Sequence, residues 1–137
     1  MAENVPDVDD YTVRLVGSSS GTNLTGRVQV FYNGAWGTIC DDFITVGVAD
    51  VVCRQLGITD PEQTDLLIRS GFFFFADQPF GPGQDHEPIW LDTLTCTGDE
   101  ENLNQCNHNG WGFHDCTHTE DIAVTCEGNY KLPLYYM

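Results

Sequence analysis

Six cysteines, at positions 40, 53, 96, 106, 116 and 126, constrain this chain more than any other feature. An even number of thiols in a short, loop-rich chain points to three disulfides formed in an oxidising compartment. The competing arrangement is a structural zinc site drawing on cysteine and on His86, His108, His114 or His118. Such sites pair cysteines about two to four residues apart, because a tight turn aims both thiolates at one ion. Here the closest cysteines have nine residues between them, a spacing that occurs three times. A nucleophilic Cys–His pair needs a free thiol, and an even, oxidised set leaves none. Three disulfides are the expectation.

Charge narrows the partners. The 137 residues make one domain, and 41% hydrophobic with 12% aromatic residues supplies a compact core. Asp and Glu number 21 against five Lys and Arg, a formal charge of −16. The basic residues, Arg14, Arg27, Arg54, Arg69 and Lys131, are scattered singly, so neither a nucleic-acid surface nor a polybasic membrane contact can be drawn from them. No apolar run is long enough to insert into a bilayer. Residues 1–10 are an acidic lead-in without the apolar centre of a signal peptide, so the chain reads as a mature domain excised from something larger. Asn23, Leu24 and Thr25 form a glycosylation sequon, which fits an extracellular setting.

Residues 11–16 (YTVRLV) and 27–32 (RVQVFY) alternate as strands do, and Asn33–Gly34 is a strong hairpin signal leading into residues 35–40 (AWGTIC). Between Thr45 and Leu56 the period changes. Val48, Ala49, Val51, Val52 and Leu56 form the stripe of an amphipathic helix, with Thr45 placed to cap its start and Gly57 to end it. Residues 58–84 read as a long connection with Phe72, Phe73, Phe74 and Phe75 at its middle. Four consecutive rings cannot all face one side of a strand, so another element covers both faces or about two rings form a patch for a partner. Residues 88–92 (PIWLD) read as a short strand, 98–106 as a short helix capped by Asp99, and 121–126 as the last strand. Trp36, Trp90 and Trp111 fall in or near the core. Residues 128–137 form a tail.

Eight blocks of this sequence resemble the scavenger receptor cysteine-rich (SRCR) domain, in that family's order and across residues 11–127. They are VRLVG at 13–17, GRVQV at 26–30, WGTICDD at 36–42, VVCRQLG at 51–57, FGPG at 80–83, PIWLD at 88–92, CTG at 96–98 and WGFHDCTHTED at 111–121. The resemblance implies an α+β fold, a curved antiparallel β-sheet cradling one α-helix, with three disulfides and long loops. It also implies the pairing Cys40–Cys116, Cys53–Cys126 and Cys96–Cys106 of the six-cysteine type. Leu24 and Ile58 stand where the eight-cysteine type has a further bridge. Three positions depart from the family pattern: Ile44 and Thr45 replace a usual Trp and Asp, and Val48 replaces a further acid.

Asp41 and Asp42 are adjacent, as are Glu120 and Asp121, and a Cys40–Cys116 bridge draws the two neighbourhoods together. Crowded carboxylates repel unless a proton or cation neutralises them, and hard oxygen ligands suit Ca2+, with Mg2+ second. By motif position, the resemblance implies one cation site with Asp42 and Glu120 and a neighbouring one with Asp41, Asp92 and Asp115. Thr45 stands in place of a ligand of the first, and Asp121 is left to structure. The plain alternative is that acids in so acidic a chain are solvated surface groups. His114 and His118 read as hydrogen-bonding turn residues.

Two function classes compete. One is an extracellular, non-catalytic ligand-binding module of the scavenger or pattern-recognition type, from a secreted protein or a receptor ectodomain in innate immunity. It would bind anionic glycans or microbial polyanions through Ca2+, or a protein ligand directly. The other is an accessory domain of a larger secreted enzyme, or an adhesion module. The chain itself has no H-E-x-x-H and no plausible triad.

Overall fold

The computed structural model describes residues 8–17, 19, 20, 23–68 and 82–130. Its spine is β3 (Asn23–Tyr32), a ten-residue strand with Val28 and Val30 wholly buried. One edge of β3 receives β2 (Ser19–Ser20) and β1 (Val13–Val16), antiparallel, with Val13 opposite Val30. The other edge is shared. β7 (Ala123–Tyr130) pairs with its first half, Arg27 opposite Ala123, and β4 (Ala35–Ile39) with its second, Val30 opposite Gly37. Two partners on one edge split and curl the sheet.

The β3–β4 hairpin turns through Asn33 (φ 50°) and Gly34 (φ 86°), as expected of an Asn–Gly pair, since both turn positions need positive φ. On the far side of β7 lies β5 (Ile58–Leu67), antiparallel with two irregularities of register. The long connection expected from residue 58 onward therefore begins with a strand. Among the described residues β5 is an edge strand, and Pro within a sheet is confined to edge strands, strand starts and bulges, which suits Pro61. Phe72, Phe73, Phe74 and Phe75 lie outside the described residues, as do residues 1–7 and 131–137.

Among the described residues, one strand pair breaks the expected antiparallel pattern: β6 (Ile89–Leu91) runs parallel to β4, with Thr38 opposite Ile89 and Ile39 opposite Leu91. The sheet is mixed, and the parallel pair fixes where the acids end up.

Helix α1 (Gly47–Gln55) lies in the curve of the sheet. Val48, Val51, Val52 and Cys53 are wholly buried with Ile39, Ile58, Leu91, Leu94, Leu103 and Ile122. Each such aliphatic side chain contributes about 1.5–3 kcal/mol on leaving water. Val48, where the family has an acid, is thus a core residue. Ile58 is buried with this core, and Leu24 and Ile44 pack against it from half-exposed positions.

Thr45 does not cap the helix. Its hydroxyl donates to the Cys96 carbonyl and accepts from the Cys96 N–H, both at 2.9 Å, tying the helix entry to the 94–98 segment. Gly47 follows under the same segment: a Cβ there would lie 2.8 Å from the Gly98 nitrogen. Gly57 (φ 101°) ends the helix as expected.

The helix expected over 98–106 shrinks to one 3-10 turn, Leu103–Gln105, capped by Asn102 and not Asp99. The Glu100 carboxylate turns back onto the Thr97 and Gly98 N–H groups at 2.9 and 3.0 Å. Arg54 from α1 donates to the carbonyls of Gly98 and Glu100. Groups that a helix would use for its own ladder are already engaged.

Three disulfides join Cys40 to Cys116, Cys53 to Cys126 and Cys96 to Cys106, the pairing the resemblance implies. The second ties α1 to β7, and the third closes the loop around Leu103.

Candidate metal centre

Because β4 and β6 run parallel, their C-terminal ends emerge side by side. The Cys40 N–H donates to the Leu91 carbonyl at 2.9 Å, so the chain leaves β4 at Asp41–Asp42 next to where it leaves β6 at Asp92. The Cys40–Cys116 disulfide then anchors Asp115 to the same place. The Cys116 sulfur, which carries no proton, touches Asp42 Oδ2 at 3.6 Å and Asp115 Oδ1 at 3.8 Å. A fourth connection comes from the 3-10 turn His118–Glu120, whose Glu120 carbonyl accepts the Asp41 N–H at 2.9 Å.

Two groups of acids result, each with ligand atoms within 4.8 Å of one another. One joins Asp42, Asp92 and Asp115 beside the Cys116 sulfur; the other joins Asp42 and Glu120 beside the Cys40–Cys116 bridge. Asp42 belongs to both. Of the neighbouring site expected to use Asp41, Asp92 and Asp115, the structure draws Asp92 and Asp115 together with Asp42. Asp41 is the residue whose backbone is tied to Glu120; its side chain falls in neither group, though its charge still acts on Asp42. Thr45, engaged at Cys96, leaves the Asp42–Glu120 pair with two carboxylates. The three-carboxylate group is the better cation cage.

Desolvation raises the pKa of Asp42, and the charges of Glu120, Asp92, Asp115 and Asp41 raise it further, in that order. All four of these acids repel its charge.

Asp92 is the sharper case. It is 3% exposed, and among the described residues its carboxylate receives one side-chain hydrogen bond, a long one of 3.4 Å from the Thr93 hydroxyl. A buried carboxylate ordinarily has several charge-assisted partners, because leaving water without them is costly. The donor set therefore fits a hard divalent cation: three anionic oxygen donors, one of them buried.

These carboxylates line an open cavity of about 390 Å3, together with Phe43, Thr93, Asn109, Phe113 and His114. None of the described arginines lines it. The sequence reading missed Phe43 and Phe113, although each stands beside a cysteine–acid motif, in CDDF and GFHDC. Asn109 arrives because its N–H donates to the Asp92 carbonyl at 3.3 Å, and its amide to the Thr93 hydroxyl at 3.2 Å. Trp111 holds this stretch down. Its ring stacks on Tyr32 at 4.2 Å and on Tyr11 at 5.4 Å, and its indole N–H donates to Asn104.

The histidines take structural places. The His114 ring accepts the Cys116 N–H, and the His108 ring, its pKa lowered by burial, accepts the Gly110 N–H, both at 3.0 Å. His118 bonds the Asp121 carboxylate and the Glu87 carbonyl, both at 2.8 Å, and Asp121 also accepts the Gly83 N–H. Asp121 is thus a structural acid, pinning the 83–87 segment to the 3-10 turn. Asn23 is the first residue of β3, opposite Glu127.

The scavenger receptor cysteine-rich domain model matches residues 18–127. Over 120 residues, 88% of this chain, the sequence is 44% identical to lysyl oxidase homolog 2 of Mus musculus. Over 122 residues it is 43% identical to the CD5 antigen-like protein of Homo sapiens. The chain spans 14% of the first relative's length and 31% of the second's. Among solved structures, the third SRCR domain of murine neurotrypsin superposes with a TM-score of 0.64 at 40% identity, covering 83% of this chain and 94% of that one.

Proposed function

Since the chain belongs to the scavenger receptor cysteine-rich family, we propose that it acts as an extracellular, non-catalytic ligand-binding module whose contact point is the Asp42–Asp92–Asp115 cavity with Ca2+ held in it. SRCR domains are extracellular, and no helix among the described residues is long and apolar enough to cross a membrane. The observation that carries the reading is the Asp92 carboxylate, buried beside two further acids and given one long side-chain hydrogen bond among the described residues. Crowding three carboxylates together, one of them buried, without a counter-ion is unfavourable, and Asp42 feels it directly.

Asp42, Asp92 and Asp115 would supply the protein's oxygens, with Glu120 as the further acid beside Asp42. When bound there, Ca2+ supplies a positive centre with open coordination positions for a sulfate, phosphate or carboxylate oxygen of a ligand. Anionic glycans and microbial polyanions carry such groups. Without the ion, the field of a chain at −16 repels them. Mg2+ fits less well, since it demands stricter octahedral geometry than an open, three-carboxylate cavity provides.

Surface binding to immobilised dextran sulfate, with Ca2+ and with EDTA at matched ionic strength, tests the bridge. Binding in Ca2+ and none in EDTA is the expected result. Equal binding in both buffers contradicts it, because screening alone cannot distinguish the two.

A further inference from the structure

Two Asn–Gly pairs occur in the sequence, Asn33–Gly34 and Asn109–Gly110. In each, a side-chain amide carbon stands next to a backbone nitrogen whose own residue has no Cβ to block a close approach. The structure treats the two differently. Asn33–Gly34 is the β3–β4 hairpin turn, exposed at both residues, and among the described residues no side chain accepts the Gly34 N–H. The Gly110 N–H instead donates to His108 Nδ1 at 3.0 Å. An imidazole that accepts at Nδ1 is neutral, with its proton on Nε2, and this is the form that acts as a base. Burial lowers the His108 pKa, which keeps that form populated at neutral pH, and the ring is seated at 69° against Trp111, centroids 5.5 Å apart. The asparagine is held from its other side. Asn109 Nδ2 donates to the Thr93 hydroxyl at 3.2 Å and its N–H to the Asp92 carbonyl at 3.3 Å, yet the residue is exposed, so water reaches it. Base, electrophile and nucleophile are thus three consecutive residues fixed in one turn.

We infer that His108, Asn109 and Gly110 form a self-processing deamidation site in which the histidine is the base. His108 Nδ1 takes the proton of the Gly110 N–H as that nitrogen bonds to Asn109 Cγ. The Cγ–Nδ2 bond then breaks, and the proton passes from the imidazolium to the departing nitrogen, which leaves as ammonia. Water opens the cyclic succinimide at either carbonyl, giving aspartate or isoaspartate at position 109. Water in and ammonia out is the whole balance. A base placed in this way contributes roughly 100- to 10,000-fold, and holding it beside the reacting nitrogen removes the need to recruit one from solvent. The consequence falls on the 107–113 loop. A carboxylate at position 109 cannot donate to Thr93, isoaspartate lengthens the backbone by a methylene and displaces the contact with the Asp92 carbonyl, and the chain gains a negative charge. An aged copy of the domain therefore differs from a new one at this loop. The inference does not rest on the calcium reading.

The test follows both asparagines in one sample. The disulfide-intact domain is held at neutral pH and physiological temperature and peptide-mapped over time by mass spectrometry, beside the reduced chain unfolded in guanidinium chloride. The expected result is conversion at Asn109 faster than at Asn33 by about tenfold or more in the folded domain, and rates within about threefold of each other in the unfolded chain. His108→Gln keeps an acceptor for the Gly110 N–H but removes the base; it slows Asn109 by about tenfold and leaves Asn33 unchanged. The direction separates chemistry from support, because a histidine that merely stiffened the loop would on removal leave Asn109 faster. Asn33 converting as fast as Asn109 in the folded domain, the same preference persisting in the unfolded chain, or Asn109 unchanged or faster in His108→Gln overturns the proposal. The first two comparisons use the wild type alone and stand even where the variant fails to fold.

Discussion

Asp42 and Asp92 meet because the strands that precede them run parallel: Ile39 lies opposite Leu91, and each chain then turns out of the sheet at the same end. An antiparallel pair in this place would put the two acids at opposite ends of the strands. The candidate centre is a consequence of this one pairing, clamped by the Cys40–Cys116 bridge that adds Asp115.

Repulsion in this cluster has a measurable sign. The folded pKa of Asp42 is raised, so its ionisation costs stability above that pKa, and the cost disappears as pH falls below its ordinary value of 3.8. Asp42→Asn is therefore expected to raise the melting temperature of the ion-free domain at neutral pH. The same substitution should remove the rise that Ca2+ gives the wild type. Differential scanning calorimetry in EDTA and in Ca2+ checks both halves.

The His118–Asp121 pair predicts a pH dependence of opposite origin. Burial pulls the His118 pKa down, but its hydrogen bonds to Asp121 and Glu87 and the charges of both acids outweigh this and raise it above 6.5. Burial also raises Asp121, so the pair holds a proton more firmly than the unfolded chain does. The stability His118 contributes is fully present below pH 6.5 and is lost as pH rises through its raised folded value. Urea denaturation should show a larger gap between wild type and His118→Gln at about pH 5.5 than at about pH 8.5. A gap independent of pH would mean that His118 acts through packing alone.

The disulfides should differ in worth. Cys40–Cys116 closes a loop with a sequence separation of 76 and Cys96–Cys106 one of 10. In the chain-entropy account these contribute about 4–5 and about 2.5–3 kcal/mol respectively. Paired Cys→Ala substitutions, compared by chemical denaturation, should follow that order. The Cys40/Cys116 variant alone should also lose its response to Ca2+, since the bridge is what holds Asp115 beside Asp42.

Gly47→Ala should destabilise by about 1–3 kcal/mol, because the new methyl meets backbone atoms of residues 96–98, which cannot yield as a side-chain tip would. Thermal melting measures it directly.

Local signals wrote much of this fold into the sequence. The alternation of residues 27–32, the Asn33–Gly34 turn and the Val48–Val51–Val52 stripe each act through neighbours in the chain, and each appears as expected. Strand β5 was hidden because Asp60, Pro61, Glu62 and Asp65 carry the composition of a loop; only its long pairing with β7 makes it a strand. The direction of β6 was hidden for a related reason, since a short apolar run such as residues 88–92 reads the same in parallel and antiparallel pairing. At the centre, motif position pointed to Asp42 with Glu120 and to Asp41 with Asp92 and Asp115, and the structure draws Asp42, Asp92 and Asp115 together. That Asp42 joins both acid groups while Asp41 joins neither is a matter of backbone direction after Cys40, which residue types alone do not specify.

Isothermal titration of Ca2+ into the disulfide-intact domain tests the central claim most directly, with Asp41→Asn and Asp42→Asn run beside the wild type. The account predicts saturable binding to the wild type, binding retained in Asp41→Asn, and binding lost in Asp42→Asn. An absence of binding in the wild type, or loss with Asp41→Asn and retention with Asp42→Asn, contradicts it.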